Sequence, residues 1–413
     1  MTARLFTPFR LGPVTLRNRT IRSAAFEGMS PDGRPSESLL RYHQSVAAGG
    51  VGLTTVAYTA VTPGGRTFSH QMWMREEIVP GLRRLTDAVH HEGAAVSIQL
   101  GDAGYMADRS VTGQRPQAPS AVFNLFGLTR PRAMSPHDIS DLLEATSHAV
   151  RLAFEAGFDA VEIQAGHGYL LSQFLSPHTN KRTDDYGGSL DNRARLTLQV
   201  VQRALEQAAG RIAVLVKTNV RDGFSGGMEN DEAVEVARML EQEGADALVL
   251  SGGFVSKVPM YVMRGEVPLK EMIATQRRLS HKVGLALFGK LVVKAFPFSE
   301  AYFLEDALNV RRAVKLPLAL VGGMRSLDTM ESTIEQGFEL VAMARPLLRE
   351  PDFIRKLERG ETRVSLCEPC NRCMATMYYG EATCPELEKE LAGGGASCVC
   401  QAHSIHPHRT EAA

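Results

Sequence analysis

Two turns and one arginine carry the first chemistry. Val321-Gly322-Gly323-Met324 follows an apolar run and precedes Ser326-Leu327-Asp328, a helix-capping sequence. Ala342-Met343-Ala344-Arg345-Pro346 ends the next apolar run. Glycines let backbone N–H groups approach an anion, a helix N-terminus adds its dipole, and Arg345 supplies a bidentate charge. Together the two turns read as a phosphate site; either alone reads as a tight turn beside a surface arginine. Sulfur carries the second chemistry. All six cysteines lie between Cys367 and Cys400. A disulfide framework would spread its bridges over the fold. The spacing Cys367-x2-Cys370-x2-Cys373-x10-Cys384 instead lets thiolates converge on one centre. A [4Fe–4S] cluster or a structural zinc suits it, with plain reduced cysteines as the alternative. Cys398 and Cys400, with His403, His406 and His408, read as part of a disordered tail, opportunistic metal binding being the other option.

These residues need a scaffold that brings them together. One local pattern recurs: a helical stretch ends in glycine and an apolar run follows. It appears at Gly49-Gly50, Gly93, Gly157, Gly244 and Gly337. Glycine takes the left-handed cap at low steric cost, and short apolar runs suit strands buried on both faces. Eight strand candidates result, at 20–25, 51–56, 94–99, 160–164, 212–218, 247–251, 318–321 and 340–344. Helix-then-strand repetition means βα units and a parallel sheet. Eight strands favour a closed (β/α)8 TIM barrel over an open doubly wound sheet, although periodicity alone does not show closure. Ser135 caps the best-signalled helix, with Pro136 at its first position. Residues 104–134 predict an active-site loop with a short hairpin, and 254–274 a second loop over the barrel mouth. The expected organisation is a barrel over 1–365, a Cys-rich extension over 366–390 and a disordered tail over 391–413.

Composition bounds the partners. Lys+Arg and Asp+Glu are balanced at 46 each in 413 residues, which argues against a nucleic acid or an anionic membrane as the main partner. No apolar run reaches the roughly 18 residues that span a bilayer, and the first residues lack a secretory h-region. A cytoplasmic enzyme acting on a small molecule is expected, with self-association left open.

The run Val161-Glu162-Ile163-Gln164-Ala165-Gly166-His167-Gly168-Tyr169-Leu170-Leu171 leads to Arg182-Thr183-Asp184-Asp185-Tyr186-Gly187-Gly188-Ser189. This block closely resembles the signature of the Old Yellow Enzyme family, in which a polar pair three residues apart precedes Gly-Tyr-Leu. The resemblance runs from about Leu5 to Leu357 and includes Gln99-Leu100. It implies FMN at the C-terminal face of the barrel strands, NAD(P)H as reductant and reduction of activated C=C bonds. By resemblance, Gln164 and His167 would hold the substrate's carbonyl oxygen and Tyr169 would protonate the α-carbon. Gln99 and Lys217 would meet the flavin pyrimidine edge. Gly322, Gly323, Ala344 and Arg345 would hold the phosphate. Ala24 and Ala25 would run along the isoalloxazine, with Tyr58 at its edge. The cysteine spacing resembles that of the dienoyl-CoA reductase and amine dehydrogenase branch, whose members carry a [4Fe–4S] cluster.

This chain departs from the family where substrate binds. The pair usually begins with His; here it begins with Gln164, an amide that donates hydrogen bonds but cannot become cationic. Ser23-Ala24-Ala25 offers neither the Cys nor the Thr often found on the first strand. Taken singly, His167 reads as a structural histidine, Tyr169 as core, and Lys217 as a partner of Glu162 or Asp222. Two alternatives stand beside ene-reduction. One is an FMN-dependent dehydrogenase or demethylase passing electrons through an Fe–S cluster. The other is a flavin-free barrel binding a phosphorylated metabolite.

Overall fold

Closure of the sheet depends on a strand of three residues. In this computed structural model, which describes residues 3–124, 127–276, 279–377 and 380–392, eight parallel strands form a closed barrel. They are Thr20–Arg22 (β1), Leu53–Ala60 (β2), Ala95–Gly101 (β3), Ala160–Ala165 (β4), Ala213–Asn219 (β5), Ala247–Ser251 (β6), Leu318–Val321 (β7) and Leu340–Met343 (β8). β1 pairs with β2 on one side and with β8 on the other, where Thr20, Ile21 and Arg22 face Val341, Ala342 and Met343. The fold is the expected (β/α)8 barrel. β6 and β7 span the expected residues, and the other strands differ only at their ends.

A helix follows each strand: Glu37–Ala48 (α1), Val79–His91 (α2), Pro136–Glu155 (α3), Leu190–Ala208 (α4), Asn230–Glu243 (α5), Leu304–Ala313 (α6), Leu327–Glu335 (α7) and Phe353–Glu358 (α8). Ser135 caps α3 through a capping box with Asp138. After α5 and α7 the chain turns at Gly244 and Gly337, with φ of 97° and 96°, a region that favours glycine.

Apolar side chains fill both sides of the sheet. The outer layer joins the strands to the helices. Inside the barrel, Ile21, Leu53, Leu215, Val249 and Leu340 form a second cluster, plugged from below by Leu11 and Leu16. These two come from an antiparallel hairpin of Phe9–Leu11 and Val14–Leu16. Each is fully buried, worth about 1.5–3 kcal/mol.

Carboxylates fasten the floor in alternation. Asp159, Asp246 and Glu339 each immediately precede a strand and accept a backbone N–H near the start of the preceding one. The pairs are Val96 N to Asp159 Oδ2 (2.8 Å), Val214 N to Asp246 Oδ2 (2.7 Å) and Leu318 N to Glu339 Oε2 (2.9 Å). The repeated Gly-x-Asp/Glu before β4, β6 and β8 is the sequence trace of this device.

Two loops differ in detail from expectation. Within 104–134 the strands Gln117–Ala118 and Arg132–Ala133 pair in parallel, not as a hairpin. Arg182 fixes this course by donating to both Pro119 O and Met134 O. An antiparallel bridge joins Asn124 to Thr129 nearby. Beyond 254–274, the connection between β6 and α6 carries a helix, Leu279–Val292, that periodicity did not single out. The readings of Cys398, Cys400, His403, His406 and His408 lie outside the described residues.

Asp246→Ala is expected to lose about 1–3 kcal/mol of stability, because Val214 N–H is left without its carboxylate. Urea unfolding checks this; a change within about 0.5 kcal/mol, the range of ordinary surface substitutions, would refute the fastening role.

Candidate active site

The C-terminal ends of the strands open into one cavity. Its wall includes all twelve residues expected to bind cofactor or substrate: Ala24, Ala25, Tyr58, Gln99, Gln164, His167, Tyr169, Lys217, Gly322, Gly323, Ala344 and Arg345. Register brings the polar ones together. Gln99 faces Glu162 across β3 and β4, and Gln164 faces Lys217 across β4 and β5. Residues two apart on a strand share a face, so Glu162 and Gln164 both point inward.

One carboxylate organises this layer. Glu162 Oε1 lies 2.8 Å from Lys217 Nζ and accepts from Gln99 Nε2 at 2.6 Å. Lys217 also donates to Ser23 Oγ at 3.1 Å. Both charged side chains are 1% exposed. Buried charges persist where they are paired, and removing one partner is strongly destabilising. The structural pairing of Lys217 with Glu162 is therefore realised, at a position that also faces the cavity. Sequence reasoning passed over Glu162 as a site residue. Its signal was a charge in the middle of a buried strand.

His167 occupies unusual backbone. Its φ is 61°, left-handed and uncommon outside glycine. Three contacts hold it there. His167 N donates to Asn219 Oδ1 (3.0 Å), its carbonyl accepts from Val255 N (3.0 Å), and Nε2 lies 2.7 Å from Ser251 Oγ. The next residue must also be glycine, since a Cβ at Gly168 would meet the Phe254 ring at 2.5 Å. Gln164 Nε2 is 3.4 Å from His167 Nδ1. An amide nitrogen only donates, so Nδ1 accepts and the ring proton sits on Nε2, facing Ser251. Burial, with the charge of Lys217, pushes the His167 pKa down to about 3. Ser251 and Asn219 thus belong to the site, although neither carried a motif.

Tyr169 caps the short helix Leu170–Leu175, and its ring lies 4.7 Å from that of Tyr58. Tyr58 donates to Gly65 O at 2.9 Å, and burial raises its pKa well above the usual phenol value.

At the other end of the cavity, Gly322 and Gly323 have φ of 122° and 76°. Gly322 presses on Tyr302 and Phe303, which a Cβ would meet at 2.8 and 2.9 Å. Arg345 Nη1 donates to Asn371 Oδ1. The donor set matches FMN by its chemistry: a buried ammonium and amide at one end, a guanidinium and glycine backbone at the other, and the small apolar Ala24 and Ala25 between.

The cysteine segment forms part of the wall. Cys367 and Cys373 line the cavity, and Cys367, Cys370, Cys373 and Cys384 are half-buried free thiols. Burial raises Cys367 to about 12 and Cys373 to about 11, against the opposing pull of Arg345. Among the described residues, no group of three or more His, Cys, Asp or Glu is placed to hold a metal ion. Ala382 N donates to Glu27 O at 2.6 Å, and Gly28 is pressed against Gly380 O, seating the segment against the loop after β1.

The family described as NADH:flavin oxidoreductase / NADH oxidase matches residues 4–266. A 4,4'-dithiodibutanoate disulfide reductase of Rhodococcus erythropolis is 42% identical over 380 residues, covering 92% of this chain and 94% of the relative. A solved 2-naphthoyl-CoA reductase, in complex with 2-naphthoyl-CoA, superposes with a TM-score of 0.79 at 23% identity; the match covers 94% of this chain and 58% of that one. An old yellow enzyme homologue from Zymomonas mobilis superposes with a TM-score of 0.70 at 22% identity, covering 93% of this chain and 98% of that one.

A pKa of about 3 keeps His167 neutral through the physiological range. Folding favours the neutral ring, so this contribution to stability is complete above about pH 6.5 and falls away as pH drops towards 3. NMR of the ring C–H resonances is expected to show no His167 titration between about pH 5 and 8. An inflection near the ordinary histidine value would contradict the half-buried, Lys217-facing ring.

Proposed function

The chain belongs to the NADH:flavin oxidoreductase / NADH oxidase family, and on that premise we propose that it reduces an activated carbon–carbon double bond, in an α,β-unsaturated carbonyl or a similar acceptor. It is an NAD(P)H-dependent flavin oxidoreductase with FMN as cofactor. The observation that carries the finer reading is the convergence of Gln164, His167 and Tyr169 with Lys217 on one cavity wall.

When bound, FMN would supply the two-electron chemistry, hydride transfer from NAD(P)H to the acceptor. The side chains do the rest. Arg345, Gly322, Gly323 and Ala344 would hold the phosphate. Lys217 keeps a positive charge at the opposite end, oriented by Glu162, and Gln99 presents its amide beside it. Ala24 and Ala25 leave a flat apolar wall. Gln164 has one amide hydrogen committed to His167 and a second for the acceptor's oxygen. Drawing electrons towards that oxygen makes the β-carbon electrophilic. His167 acts here by fixing the Gln164 amide. Tyr169 holds the proton that the α-carbon takes, completing addition of hydride and proton across the double bond.

Two observations favour a second reading, reduction of a small organic disulfide. The Rhodococcus relative is named for that reaction, and Gln164 lowers the premium on activating an oxygen. Two electrons break the S–S bond, and two thiols leave with protons available from solvent. Tyr169 is not required for that outcome.

The test is reoxidation of NADPH- or NADH-reduced protein without oxygen, with an enone panel and with 4,4'-dithiodibutanoate. Tyr169→Phe is expected to slow reoxidation by enone about 10²–10⁴-fold and to leave bleaching by nicotinamide unchanged. An unchanged enone rate would remove Tyr169 as proton donor. Wild-type turnover of the disulfide alone would establish the second reading. Iron and sulfide analysis of the same sample tests whether Cys367, Cys370, Cys373 and Cys384 ligate a cluster, the arrangement a dehydrogenase would need. A colourless protein that takes up no FMN would overturn both readings.

A further inference from the structure

The connection between β6 and α6 leaves the barrel as an arm. At its neck Gly265 N donates to Phe296 O at 3.0 Å in an antiparallel bridge. Asn371 Nδ2 braces the neck by donating to Met263 O and Glu266 O, both at 2.9 Å. Beyond it, the helix Leu279–Val292 packs one side on Leu269–Ala274, with Gly289 buried and so close that a Cβ would meet Leu269 Cδ1 at 2.5 Å.

Among the described residues, nothing covers the other side of this helix. Leu279, Val283, Leu287 and Leu291 recur every fourth residue and are 75%, 50%, 70% and 83% exposed; Phe288 and Val292 flank them. Of the twelve exposed large hydrophobic side chains among the described residues, these six sit on one helix. A contiguous apolar patch of this kind marks an interaction site.

Charge indicates what covers it. Between Met272 and Ser299 the chain has Arg277, Arg278, Lys282, Lys290 and Lys294 and no Asp or Glu, although the whole chain is neutral. The overall balance conceals a local excess of five positive charges. Lys290 is exposed, and helical spacing puts it inside the apolar stripe, three residues after Leu287 and seven after Val283. A protein partner seated on the stripe would bury that ammonium among leucines, which is costly without a paired anion. At a bilayer surface, the lysine stem lies along the apolar layer while its head reaches lipid phosphate. No described helix is long and apolar enough to cross a membrane, so the contact is in the plane of the surface.

We propose that the arm helix docks this protein onto an anionic phospholipid surface. The exposed leucines and Phe288 enter the acyl boundary, and the basic residues hold the headgroups. The inference is independent of which substrate the cavity accepts.

Flotation of the full chain, loaded with FMN, tests this. The vesicles are phosphatidylglycerol mixed with phosphatidylcholine, or phosphatidylcholine alone. The protein is expected to float with the anionic vesicles only, and to be released by high salt. Lys290→Ala is expected to weaken partition about fivefold, and Leu287→Ser combined with Leu291→Ser to abolish it. Both variants are expected to keep the parent's circular dichroism and flavin absorbance, since the altered side chains are exposed. Absence of flotation, or equal flotation of the double serine variant, would overturn the proposal. A dimer by sedimentation that the double serine variant dissociates, without vesicle binding, would assign the stripe to a second copy instead.

Discussion

A closed sheet has no free edge, and here closure passes through β1, a strand of three residues. Its inner neighbour β2 meets it at only two positions, so much of the seam's strength lies in side chains. Arg22 ends the strand fully inside the protein, donating to Glu27 Oε1 at 2.6 Å, Thr55 O at 2.7 Å and Ala25 O at 3.0 Å. That guanidinium ties β1 to β2 and fixes the backbone at Ala25. Everything at the mouth follows from the closure. Only a closed ring brings the ends of β3, β4 and β5 opposite those of β7 and β8, and so sets Lys217 across one cavity from Arg345.

Much of this was legible in the chain. The glycine that ends a helix before five of the eight apolar runs marked the βα units, because a left-handed cap admits few other residues. Gly322-Gly323 and Arg345 were readable for the same local reason. What could not be read was long-range. Glu162 stood in a quoted motif but showed its importance only when register set it opposite Gln99 and beside Lys217. Ser251 and Asn219 carry no signal until the chain returns to His167. The arm helix has apolar residues on more than one side, so its periodicity was weak, and its exposure is a property of the fold. The parallel course of 117–118 and 132–133 depends on Arg182, some fifty residues further along.

The pair Gln164–His167 shows how one substitution redistributes roles. A histidine at position 164 could present a donor and still leave His167 free to present another. The amide instead spends one hydrogen on Nδ1, and the ring turns its own proton towards Ser251. If the pair holds a substrate as proposed, it offers one donor, not two. On the proposed function, the site is thereby less committed to a strongly polarised oxygen. The left-handed backbone at His167 keeps the ring from adjusting, so the consequence stays local and sharp.

The seating of the cysteine segment against the loop after β1 bears on how the protein is made. The polypeptide is made in chain order, so every barrel strand is synthesised before residues 366–390. Until then the cavity lacks the wall that Cys367 and Cys373 provide, and Arg345 lacks Asn371. A barrel without that segment is open on the side that Cys367 and Cys373 close. The segment that follows the barrel in the chain is thus the door of the basin, hinged on the loop after β1.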